Sequence, residues 1–181
     1  MPFPALSIPL CLLWLIAIAV MDLRLRKVRN WMVLLGLGMG LLALAADLQP
    51  FGVAAGDALL GMLAAFAALL PFYALRWMGA GDVKFAAIVG LWFGLSPHLL
   101  TVWVGGSLLA GVHGVLVLVW RRLQATPTGQ WLLAHLPLRM ASAAPPLLGA
   151  RAAIERSIPY AGYMALTALW LVLAGHAVPG H

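Results

Sequence analysis

Five acidic residues occur among the 181 of this chain, and two of them, Asp22 and Asp82, sit where a carboxylate can do chemistry. Asp22 follows the apolar run 6–20, and Asp82 immediately precedes the apolar run 83–95. A carboxylate in or beside hydrocarbon is costly, which makes it a functional candidate. Asp47 and Asp57 instead flank a turn, and Glu155 lies in a long segment containing Pro and Gly, all places that water reaches. Two aspartates that approach a common water cannot both ionise easily, so the pair holds one shared proton. The ionised member takes a proton from the water as it attacks a peptide carbonyl. The protonated member hydrogen-bonds the carbonyl oxygen as the tetrahedral intermediate forms.

The residues around Asp82 read Gly79-Ala80-Gly81-Asp82-Val83-Lys84. Glycine permits tight backbone at the start of a helix, and missing side chains at Gly79 and Gly81 would let an extended peptide approach the acid. The plainer reading is a helix cap, because Asp at a helix start, with Gly before it, is common. Lys84 has two readings as well: a partner for the acid or substrate, or a cation anchoring a helix end.

These residues need elements that bring positions 22 and 82 to one depth. Hydrophobic residues make up 64% and charged residues 9% of the chain, with a mean hydropathy of +1.02, so too little polar surface exists for a water-soluble globule. Apolar runs occupy about 6–20, 31–46, 54–75, 83–95, 99–120 and 161–173. About 20 apolar residues cross about 30 Å of hydrocarbon, so the expectation is one all-α membrane-embedded domain over 1–181 with about six transmembrane helices. The run 83–95 is short, and Ser96-Pro97 reads as a turn joining it to the next helix.

Charge tests this topology. If all six runs cross, Arg24, Arg26, Lys27 and Arg29, then Arg76 and Lys84, then Arg121, Arg122, Arg139, Arg151 and Arg156 share one side, and these are all 11 basic residues. The opposite segments carry none. The positive-inside rule then puts Asp22, Asp82 and a loop at about 121–157 in the cytoplasm, with both termini outside. The same rule accounts for the net charge of +6 without nucleic-acid binding, and no platform of aromatic and basic residues for stacking bases is visible. The stretch 131–138 has the composition of a short interfacial helix. Cys11 is the sole cysteine, and the five histidines lack ligand-like spacing, so neither a metal site nor a cofactor is expected.

The chain resembles the prepilin peptidases, the type IV aspartyl peptidases marked by Gly-x-Gly-Asp, and especially their short members serving Flp-type pili. The motif Gly79-Ala80-Gly81-Asp82 is followed by a helix rich in small residues. Asp22 with Val28-Arg29-Asn30 is similar to the first catalytic aspartate and its nearby Ile-Pro-Asn, and Ile158-Pro159-Tyr160 resembles a Pro-Tyr-Gly element before the last helix. Arg29 replaces the usual Pro, and Ala161 the usual Gly. The resemblance implies that Asp22 and Asp82 are the catalytic pair, with Gly79, Gly81, Lys84, Asn30, Pro159 and Tyr160 as motif or substrate-binding residues. It implies removal of the leader from prepilin or pseudopilin substrates at the cytoplasmic face of a bacterial inner membrane, commonly after glycine. Larger members carry a cytoplasmic segment with paired cysteines and also methylate the new N-terminus. With its single cysteine this chain is expected to act as a peptidase, and methylation is left open.

Two other readings stand beside this one. A transporter or pilus-assembly scaffold would use its aspartates as caps or ion ligands, but such ion sites lie near the midplane and no charge occupies the centre of any run. Another Gly-x-Gly-Asp intramembrane protease would resemble a Tyr-Asp pair, whereas Met21 precedes Asp22. Gly52-x-x-x-Gly56 and Gly90-x-x-x-Gly94 permit close helix approach, either within the bundle or between copies.

Overall fold

The computed structural model describes residues 4–26, 28–49, 51–128, 131 and 158–177, and among them no strand occurs. Six helices follow in order among these residues: α1 (Pro4–Leu25), α2 (Asn30–Ala45), α3 (Ala55–Ala74), α4 (Ala80–Phe93), α5 (Pro97–Ala125) and α6 (Tyr160–Ala177). Each covers most of one apolar run. Three stretches, Ser7–Leu25, Ala55–Ala74 and Pro97–Ala125, are long and apolar enough to cross a bilayer, and Asn30–Ala45 and Tyr160–Ala174 are shorter apolar helices. The protein is an all-α, membrane-embedded bundle. All of the expected interfacial helix at 131–138 but its first residue, and most of the expected loop, lie outside the described residues. The part of that loop at Arg121 and Arg122 is helical, as the end of α5.

The ends of these helices follow from elementary rules. α1 stops where Arg26 turns left-handed at a φ of 51°, its N–H still donating to the Asp22 carbonyl at 2.8 Å. α4 stops at Gly94, whose φ of 67° is one that glycine adopts without steric cost. Ser96 Oγ donates to the Phe93 carbonyl at 2.8 Å, and Pro97 opens α5 at a position that needs no N–H. Ser96-Pro97 is therefore the junction between two helices that the sequence suggests.

α4 is the axis of the bundle. At about 1.5 Å per residue its 14 residues rise about 21 Å, short of the roughly 30 Å of a bilayer core. All but three of those residues are buried, so α4 is enclosed by the other helices. It packs on α3 through three glycines. A Cβ on Gly61 would stand 2.5 Å from the Gly90 carbonyl oxygen, and one on Gly90 would stand 2.6 Å from the Gly61 carbonyl carbon. Gly94 packs beside Val53, whereas Gly56 meets nothing within 4 Å. Of the two Gly-x-x-x-Gly patterns, Gly90 and Gly94 serve packing inside the bundle.

Indole N–H groups tie the remaining helices together. Trp92 on α4 donates to the Gly36 carbonyl of α2 at 3.2 Å, and Trp14 on α1 donates to the Met32 carbonyl at 2.9 Å. These bonds satisfy indole groups that would otherwise be buried unpaired, at a cost of about 1–3 kcal/mol each. α6 lies against α1 and α5, with Gly106 of α5 making room for Met164.

Candidate active site

Asp22 and Asp82 are both buried, at 3% and 7% exposure, although they are carboxylates from distant parts of the chain. Asp22 occupies the last turn of α1 and Asp82 the first turn of α4. They meet at the start of α6. The Ala161 N–H donates to Asp82 Oδ1 at 3.0 Å, and the Gly162 N–H donates to Asp22 Oδ2 at 2.7 Å. The first N–H groups of a helix have no partner within it, so two consecutive orphan donors of α6 are satisfied by two acids from different helices.

The second oxygen of Asp82 is also engaged. Oδ2 accepts the Gly79 N–H at 3.2 Å, which caps α4 from its third residue. The cap reading of Asp82 is thus correct in part, but a cap uses one oxygen and this carboxylate uses both. Asp82 precedes the apolar run of α4. Its burial, and then the neighbouring charge of Asp22, push its carboxyl up from the ordinary 3.8 to about 6, against the pull of the two N–H donors.

A cavity of about 460 Å³ opens over the pair, lined by Asp22, Asp82, Gly79, Gly81, Asn30 and Pro159, with Arg26, Arg29, Val28 and Ile158 around them. Lys84 reaches the same region from outside, its Nζ donating to Asn30 Oδ1 at 3.3 Å. Tyr160 bonds through its hydroxyl to Ser107 of α5 at 3.0 Å. The eight residues singled out from the sequence therefore gather at one end of the bundle. The two glycines differ from expectation in detail. A side chain at Gly81 would meet Val28 Cβ at 3.2 Å, and one at Gly79 would meet Asp82 Oδ2 at 3.2 Å. Their bareness accommodates the protein's own chain before any substrate.

A larger groove of about 760 Å³ runs between α5 and α6, walled by Leu100, Val104, Leu108 and Leu109 on one side and by Leu166 and Trp170 on the other. Its lining contains no titratable group, and its polar side-chain groups are the hydroxyls of Thr101 and Thr167 and the indole N–H of Trp170. Titratable groups, Asp22, Asp82, Arg26 and Arg29, line the smaller, polar cavity instead. Among the described residues no group of three or more His, Cys, Asp or Glu side chains is placed to hold a metal ion.

The family model of the type IV leader peptidases matches residues 10–115. The chain belongs to the type IV leader peptidase family. The match takes in Asp22, the Gly79-Ala80-Gly81-Asp82 motif, all of α4 and most of α1. No curated protein and no solved structure gives a match. Membership makes the protein a leader peptidase in general, with prepilins as the general class of substrate. The backbone donors of Ala161 and Gly162 lie outside the matched region, and sequence reasoning passed over them because a backbone N–H has no side-chain signature. The available signal was Pro159, placed just ahead of an apolar run as at the start of a helix.

Proposed function

We propose that this leader peptidase is an aspartyl endopeptidase of the bacterial inner membrane, in which Asp22 and Asp82 share a proton and activate one water. The observation that carries the reading is the pair of hydrogen bonds from consecutive amides of α6 to two buried carboxylates, beside one polar cavity. The ionised carboxylate accepts a proton from water as the oxygen attacks the scissile carbonyl, and the protonated one donates to the developing oxyanion. Collapse of the tetrahedral intermediate returns a proton to the leaving amine, so the dyad ends as it began.

The distribution of basic residues supports a site at the cytoplasmic face, with both termini outside. The substrate is a prepilin or pseudopilin whose leader enters the polar cavity, while its apolar helix stays in lipid. A transport or scaffold role is less well supported, because the two buried acids lie at one end of the bundle and not at its middle. The test is a gel-shift assay of a prepilin co-expressed with the wild-type protein, Asp22→Asn or Asp82→Asn. Leader loss with the wild type alone is expected. Processing by either variant would exclude the dyad, and no processing by any version would favour the scaffold.

A further inference from the structure

We propose that the first turn of α6 is the positioning element of the dyad, with Gly162 the position whose missing side chain lets Asp22 reach its place. The inference rests on the catalytic reading of Asp22 and Asp82 and adds residues that the reading does not assign.

Asp22 lies in the last turn of α1, where the negative end of the helix dipole disfavours a carboxylate. The positive end of α6 supplies what α1 withholds. The Gly162 N–H bonds Asp22 Oδ2 at 2.7 Å, and the preceding amide, at Ala161, bonds Asp82 Oδ1 at 3.0 Å. Donor positions on adjacent residues of one rigid turn thus fix the spacing of two acids that belong to separate helices. The turn is itself held, through the Tyr160 hydroxyl on Ser107 at 3.0 Å and the Tyr163 N–H on the Pro159 carbonyl at 3.3 Å.

Gly162 leaves no spare room. A Cβ there would stand 3.2 Å from both Asp22 Oδ2 and Leu23 Cγ, closer than ordinary contact. Alanine would therefore displace the Asp22 carboxylate by a few tenths of an ångström while favouring the helix. A misplacement of about 1 Å at a reacting group costs about 100-fold in rate, so Gly162→Ala is expected to lower kcat by about tenfold.

The experiment measures kcat, KM and thermal unfolding of the full-length protein in detergent micelles, with a purified prepilin as substrate. For Gly162→Ala, kcat should fall about tenfold with KM within about twofold and no loss of thermal stability. Gly111→Ala, on α5 with nothing within 4 Å of the added carbon, should keep wild-type kcat. Ser107→Ala, which releases Tyr160, should lower kcat a few-fold at unchanged KM, and it decides the matter if Gly162→Ala does not fold. Wild-type kcat in a folded Gly162→Ala, or a fall in kcat matched by a fall in stability, would overturn the positioning role while the dyad reading stood. A wild-type protein that cleaves no prepilin would overturn both.

Discussion

On the proposed mechanism, replacing either aspartate by asparagine removes the shared proton, but the two replacements should differ in what they do to the fold. Asp82 accepts an N–H on each oxygen, from Ala161 at 3.0 Å and Gly79 at 3.2 Å. Asparagine has one acceptor oxygen, so its NH2 must face one of those donors. The less costly orientation keeps the buried Ala161 bond and turns the NH2 toward Gly79, where the bond is only part-buried. A lost hydrogen bond with a donor left facing a donor costs about 1–2 kcal/mol. Asp22 accepts the Gly162 N–H on Oδ2, and asparagine can keep that bond with the NH2 turned to the cavity, at a cost below about 1 kcal/mol. Unfolding in detergent micelles, followed by the fluorescence of the eight tryptophans, should show Asp82→Asn as the less stable variant, with both inactive. Equal stability of the two would refute the account of Asp82 as a double acceptor.

Two further outcomes are expected. With the Asp82 carboxyl raised to about 6, the proposed dyad would lose its remaining proton as pH rises through that value, so kcat/KM should fall on the alkaline side of about pH 6. By the same sign, the folded state favours protonated Asp82, so its relative stability falls as pH rises from the ordinary 3.8 to about 6 and is level beyond. A profile level to about pH 8 would contradict this. Gly90→Ala should destabilise the bundle by about 1–3 kcal/mol through overpacking, since the added carbon meets the Gly61 backbone. Gly56→Ala, which meets nothing, should be neutral or stabilising by up to about 1 kcal/mol. Unfolding curves that rank the two alike would refute the packing argument.

The helices were legible because lipid and a protein core both demand apolar side chains, and apolar runs are visible in sequence. Helix ends were less legible. α1 continues through Asp22 to Leu25, and α5 through Arg121 and Arg122 to Ala125, because hydropathy registers solvent preference and a helix ends where its hydrogen bonds end. The run 83–95 read as a short span, whereas its helix is enclosed by protein, and composition alone does not distinguish those surroundings. Asp22 and Asp82 stood out as carboxylates beside apolar runs, and their motifs named them. Their convergence did not follow from spacing, since it depends on backbone donors of α6, 79 and 140 positions away.

That separation along the chain bears on biosynthesis. A ribosome releases α1 and α4 well before α6, so a growing chain has both acids without the turn that holds them in register. On the proposed mechanism, proteolytic competence arises only when α6 is in place. Incomplete chains would then be inert toward the other membrane proteins being inserted around them, a safeguard that the order of the helices adds to that mechanism.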